Sequence, residues 1–318
     1  MKKLIAALTL TAIAAAAQAQ LNPDRPIKII VPQPPGGGAD LILRAMAPEV
    51  QKILKISVVV ENRPGGNEVI AADAVAKAPA DGHTLGLISS TFNINQLGLG
   101  AKIPYDSQKD FTPVAYLARV PMALFVPNDL GPKDLKSFVA LSKAKPGQLN
   151  YVSLGPTTFQ GIAADYLRHI SGADLVPIPY SGRGTTQALL GGEVQMAMIG
   201  FGAAGPLMQS GKVTPIAITS KTRMKVQPNV PTVAETYPGY DVTPWYGLVA
   251  PAGTPPAVIK RLHEAFSEVV GNPAMAEKFF QLGSEPTKMT LEAYQAHLAQ
   301  DLVGWRNIVS QIPKPAAK

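Results

Sequence analysis

The chain has 318 residues and a formal net charge of +7, with 46% hydrophobic and 16% charged residues. It has no cysteine, which excludes disulfides and thiol chemistry. Its basic residues are scattered and not interleaved with aromatics, which argues against nucleic acid as a partner. The length suits two domains of ordinary size.

At the N-terminus, Lys2-Lys3, the apolar run Leu4 to Ala17 and the small-residue site Ala17-Gln18-Ala19 have the layout of a secretory signal peptide. Cleavage after Ala19 is expected, giving an exported, soluble mature chain that begins at Gln20. The apolar run is short for a membrane span, and no later stretch is apolar enough to be one.

Ile27 to Val31 is a β-branched run and predicts a buried strand. Pro34-Pro35 stop sheet pairing, and Gly36, Gly37 and Gly38 permit a sharp turn with close approach to bare backbone. From Asp40 the apolar residues Leu41, Ile42, Ala45, Met46 and Val50 recur at helical spacing. The turn therefore ends at a helix N-terminus, where free N–H groups and the dipole favour an anion. Pro48 is expected to kink that helix or end it early.

Ser57 to Glu61 predicts a second strand, Asn67 to Ala76 a helix and His83 to Ser89 a third strand. This alternation favours a mostly parallel sheet flanked by helices. Two strand-like runs follow, Val114 to Ala118 and Ala123 to Val126. A second alternating unit then begins: helix 135–143, strand 149–153, helix 159–170, strand 176–180, helix 185–190, strand 194–199, helix 203–208 and strand 215–219. An extended run at 242–250 precedes largely helical sequence from Pro255, closing with a helix at 291–309. Residues 313–318 form a Pro/Ala/Lys tail expected to be disordered.

The reading is an α/β chain with a discontinuous first domain, 24–122 and 245–312, and a second domain, 123–244. Two crossings, near 120–126 and 241–247, give hinge geometry with a cleft between the domains.

The motifs support binding more than chemistry. There is no Gly-x-Ser-x-Gly elbow, and His83, His169, His263 and His297 are too dispersed for a metal site. Residues 205–213 do not fit a phosphate loop, because Val213 stands where Ser or Thr is needed. No enzyme activity, cofactor or metal is expected.

Several stretches, taken in order, resemble one family. They are Ile29-Ile30-Val31-Pro32 with Pro35-Gly36-Gly37-Gly38-Ala39-Asp40; Val60-Glu61-Asn62-Arg63-Pro64-Gly65-Gly66; Lys109-Asp110-Phe111-Thr112-Pro113-Val114; Leu190-Gly191-Gly192-Glu193-Val194; Pro231-Thr232-Val233-Ala234-Glu235; and Trp245-Tyr246-Gly247-Leu248-Val249-Ala250-Pro251-Ala252-Gly253-Thr254-Pro255. The chain is similar to the substrate-binding proteins of tripartite tricarboxylate transporters, the Bug (Bordetella uptake) receptors.

That resemblance implies a two-domain periplasmic-binding-protein (Venus flytrap) fold. It also implies capture of a small organic carboxylate and delivery to the large and small membrane subunits of a transporter by a monomeric receptor. A ligand-sensing role toward a membrane signalling protein is the alternative. The implied ligand loops are Pro34 to Asp40 and Gly155 to Gln160, with Ser89 to Asn93 and Tyr180 to Gly184 as walls.

The expected contacts are thus Pro35, Gly36, Gly37, Gly38, Asp40, Ser90, Thr91, Asn93, Thr157, Thr158, Gln160, Tyr180, Arg183, Gly184 and Phe201. Asp40 has a competing use as a helix cap or partner of Arg44, Thr158 as an N-cap, and Phe201 in packing. Glu68 and Ala71 depart from a stretch that is often glycine-rich in the family, and Ser181 stands where a lysine is often seen.

Overall fold

The computed structural model describes residues 20–97, 103–180 and 184–312. The signal segment, the 313–318 tail and Arg183 lie outside the described residues.

Two sheet systems form two lobes. The first sheet has six strands: β1 (Ile27–Val31), β2 (Val58–Asn62), β3 (Thr84–Ser89), β4 (Phe111–Arg119), β10 (Trp245–Pro251) and β11 (Glu285–Pro286), in the order β11-β4-β10-β3-β1-β2. β2, β1 and β3 run parallel, as βαβ alternation requires. β10 runs antiparallel to both β3 and β4, and β11 antiparallel to β4. The sheet is therefore mixed where a mostly parallel one was expected. The antiparallel strands lead to or from the other lobe, or follow the later helices, so no βαβ crossover constrains their direction.

The second lobe holds a three-stranded antiparallel sheet: β8 (Ala197–Gly200), β5 (Met122–Pro127) and β9 (Val213–Ile218). Beside it lies the parallel pair β6 (Asn150–Ser153) and β7 (Val176–Pro179).

Strand alternation builds a core on each face of each sheet. In β1, Ile27, Ile29 and Val31 join one cluster and Ile30 the opposite one. In β5, Leu124 and Val126 join one cluster, Ala123 and Phe125 the other.

Helix α1 (Gly38–Leu54) lies on the first sheet and buries Ile42, Leu43, Met46, Ala47, Val50 and Leu54. It continues through Pro48 and does not end early there. Pro48 is exposed, so the carbonyl it leaves unpaired faces water, while the continuous apolar face holds the helix together.

Helix α2 (Val69–Ala76) follows a single 3₁₀ turn at Gly66–Glu68. α3 (Ser90–Gln96) starts directly from the end of β3 and was not foreseen. In the second lobe, α4 (Leu135–Ala144), α5 (Phe159–Ser171), α6 (Thr185–Leu190), α7 (Phe201–Gln209) and α8 (Val233–Thr236) surround the sheets. α9 (Pro256–Val270) and α10 (Pro273–Gln281) return to the first lobe.

Three connections join the lobes. The β4-to-β5 crossing is braced by the Val120 amide, which donates to Pro244 O at 2.7 Å on the second crossing. The third is α11 (Leu291–Gln311). Its Tyr294 and Leu298 sit in a first-lobe cluster, while Trp305 packs edge-on against Phe159 in a second-lobe cluster. The segment 245–312, expected in the first domain, thus ends inside the second lobe's core.

Between these anchors lies Asp301. One oxygen accepts from the indoles of Trp245 and Trp305 at 2.9 and 3.2 Å, and the other from Asn93 at 2.9 Å. Burial pushes its carboxyl up to about 6, against those three bonds.

Near the same side the lobes touch backbone to backbone. A Cβ on Gly202 would fall 2.4 Å from Leu282 O, and one on Gly283 would fall 2.3 Å from the Gly202 nitrogen. Only glycine permits that approach.

Candidate functional site: the cleft between the lobes

The first-lobe wall begins at the glycine turn, which is tied down by Asp40. The Asp40 carboxylate is buried and accepts from the Gly36 amide at 2.9 Å, from Arg44 Nε at 2.9 Å and from Asn62 Nδ2 at 2.9 Å. Burial pushes this carboxyl up, but the bonds from Arg44, Gly36 and Asn62 outweigh it and hold it below its usual range. The Gly37 amide donates to Pro34 O and the Ala39 amide to Gln33 Oε1. Among the described residues, Gly38 is the glycine of the turn whose N–H has no partner. The hydroxyl of Tyr246 stands over it, 3.9 Å from where a Cβ would lie, and accepts from Gln33 Nε2 at 3.3 Å.

Next along this wall is the turn before α2. Asn67 and Glu68 both adopt left-handed backbone, with φ of 52° and 74°. Asn67 exchanges amide bonds with Asn95 on α3, at 2.9 and 2.7 Å. Both Glu68 carboxylate oxygens lie at hydrogen-bond distance from Ser89 Oγ, 2.8 and 2.9 Å. That hydroxyl also accepts from the Thr91 amide, capping α3. Glu68 is half-buried. Burial pushes it up to about 7, against bonds from the Ser89 hydroxyl and amide.

The second-lobe wall is the turn from β6 into α5. Thr158 caps α5: its hydroxyl accepts from the Gly161 amide at 3.1 Å and donates to Gly155 O at 2.7 Å. This turn is so tight that a Cβ on Gly161 would lie 2.0 Å from Gly155 O. The N–H groups of Phe159 and Gln160 are left without partners among the described residues, at the positive end of a 13-residue helix. Beside them is a cavity of about 180 Å³ lined by Gln160, Thr185, Thr186, Gly200, Met122, Val152 and Met198, among others. The two walls meet where Asn67 Nδ2 donates to Thr157 O at 3.2 Å.

Of the residues read from the sequence, Pro35, Gly36, Gly37, Gly38, Thr157 and Gln160 sit on the two facing turns. Asp40 and Thr158 are committed to holding those turns. Asn93 is fully buried and donates to Leu298 O and Asp301 on α11. Phe201 is buried against Phe125. Ser90 and Thr91 are buried in the first turn of α3. The Tyr180 hydroxyl donates to Glu193 at 2.5 Å, and Gly184 caps α6 in left-handed backbone. Gln33, Glu68, Thr185, Thr186 and Tyr246 were not foreseen. Thr185 and Thr186 had a signal, since they open a helix directly after a glycine.

With this geometry in view, the comparisons decide the family. The family model described as "Tripartite tricarboxylate transporter family receptor" matches residues 42–313. The chain belongs to that family. Protein BugT of Bordetella pertussis is 34% identical over 302 residues, covering 94% of this chain and 93% of BugT. Rpa4515 of R. palustris, solved with adipate, superposes with a TM-score of 0.83 at 28% identity, covering 91% of this chain and 98% of that one. MatC of Rhodopseudomonas palustris, solved with malate, gives 0.79 at 30% identity, with 91% and 100% covered.

The chain is therefore a solute-binding receptor of the Bug type, with the two-lobed α/β fold of its neighbours, and not an enzyme. Among the described residues no helix is long and apolar enough to cross a membrane.

Proposed function

We propose that this receptor works in the periplasm, released there by cleavage near Ala19, and captures a small organic carboxylate between its lobes for a tripartite membrane transporter. The observation that carries the reading is the pair of facing turns. Gly38 on one side and Phe159 and Gln160 on the other present unpartnered main-chain N–H groups, and such groups bind carboxylates in a water-poor cleft. The neighbours solved with adipate and malate support the same ligand chemistry.

In this reading the lobes are 24–122 with 245–312 and 123–244, the end of α11 crossing over to pack on the second lobe, and the receptor acts as a monomer. The ligand contacts are Gly38, Thr157, Gln160, Thr185, Thr186 and Tyr246, with Tyr180 and Gly184 on the rim. Closure is a population shift, driven only by tighter binding to the closed form.

A thermal-shift screen of di-, tri- and aromatic carboxylates on the mature chain tests this. An acid at about a hundred times its Kd should stabilise by about 2.7 kcal/mol. The same acid should compact the protein in X-ray scattering. No shift with any acid, or a shift without compaction, would reject capture by closure.

A further inference from the structure

The three connections between the lobes converge on one side chain. The two strand crossings are tied to one another where the Val120 amide donates to Pro244 O. The next residue, Trp245, donates its indole N–H to Asp301 on the third connection, α11. One helical turn further along α11, Trp305 donates to the same oxygen from the second-lobe core.

Helix α3 is also shared between the lobes. Its Phe92 belongs to the first-lobe cluster that holds Trp245 and Tyr294, and its Ile94 to the second-lobe cluster that holds Trp305. Asn93, between them, donates to the other Asp301 oxygen and to Leu298 O. Asp301 thus joins α3, β10 and α11 at the points where they pass between the two cores.

The residue type bears on what this joint does. Asp301 is half-buried, but its donors Asn93, Trp245 and Trp305 are buried, at 0, 1 and 4% exposure. A buried N–H left without an acceptor is costly. A carboxylate has two oxygens that only accept, so it takes donors from three elements at once. An apolar side chain would fill the space with less desolvation cost. What the acid adds is a fixed geometry among parts that belong to different lobes.

α3 carries that geometry to the walls of the cleft. Two residues beyond Asn93, Asn95 exchanges amide bonds with Asn67, and Asn67 donates to Thr157 O on the second-lobe turn. The bond to the hinge and the contact at the walls sit on one short helix.

We propose that Asp301 is the positioning residue of lobe closure: it fastens the inter-lobe connections to α3 and so sets the angle at which the two walls face one another.

The test reads that angle in the empty mature receptor. The chain has no cysteine, so Lys52→Cys on α1 and Lys136→Cys on α4, both exposed, each take one spin label. Pulsed electron resonance then gives the distances between the lobes, and the labelled parent should show one main distance. Asp301→Ala should raise the ratio of wider to main distances about tenfold. Asp301→Asn, which keeps one oxygen for the two indoles, and Asn93→Ala should each raise it about threefold. Leu85→Ala removes a fully buried side chain of the first-lobe core. It should lower the urea midpoint and leave the ratio unchanged, which separates positioning from stability. Circular dichroism confirms that each variant folds; if Asp301→Ala does not, the two milder variants decide. Parent-like distances in Asp301→Asn and Asn93→Ala, or an equal widening from Leu85→Ala, overturn the proposal. No ligand is added, so the outcome is independent of the carboxylate screen above.

Discussion

The two walls of the cleft are built from the same device, a glycine-bearing turn feeding a helix, yet they are held differently. On the first lobe, side chains brace the turn: Asp40 accepts the Gly36 amide and Gln33 the Ala39 amide, while Arg44 and Asn62 donate to Asp40 and hold it in place. On the second lobe, the turn into α5 is held by a tight approach of backbone to backbone and one threonine cap. The first wall is a braced platform. The second is a bare helix end, with more of its donors free. The difference shows that one kind of turn can be fixed either by side-chain bonds or by close backbone packing.

The contrast can be broken from either side. The largest effect is expected at Gly161, where any side chain must displace Gly155 O. Gly161→Ala should lower stability in urea by about 3 kcal/mol and abolish the ligand-induced thermal shift. A wild-type response would mean the α5 turn is not what holds the anion.

Next comes the brace. Asp40→Ala strands Arg44, Asn62 and the Gly36 amide together, and should cost about 2 kcal/mol in the same assay. Asp40→Asn should recover part of the loss, because one oxygen remains to accept. An effect of Asp40→Ala within about 0.5 kcal/mol would make the first wall as self-supporting as the second.

The smallest effect is the titration of Glu68. The folded-state pKa of Glu68 is raised from 4.5 to about 7, so the folded chain holds this proton more tightly than the unfolded chain. Its contribution is fully present below about pH 4.5 and is lost as pH rises through 7. The urea midpoint should therefore fall across that window, and Glu68→Gln should flatten the fall. Asp301, raised from 3.8 to about 6, acts in the same direction and should leave a residual slope in the variant.

Much of the scaffold was legible because its causes are local. The β1 run, the glycine turn and the Asp40–Arg44 pair one helical turn apart follow from spacing alone. α3 was missed because Ser90-Thr91-Phe92-Asn93-Ile94-Asn95 is poor in helix formers; what starts the helix is the Ser89 cap. Asn93 was assigned to the ligand because nothing near it in sequence reveals Asp301, 208 residues away. Tyr246 was hidden for the same reason, since its place over Gly38 depends on β10 pairing with β3. Glu68 stands out in the sequence as a departure, but its bond to Ser89, 21 residues away, does not.

The long helix α11 has one more implication. It is pinned in one lobe by Tyr294 and Leu298 and in the other by Trp305, with Asp301 hydrogen-bonded in between. In the closure proposed above, this rod flexes as the jaws open, as a leaf spring flexes between two clamps. Gly304 lies between the clamps, in open surroundings and with the weakest helical preference of any residue but proline. The stiffness of the gape would thus be set at one small residue of α11.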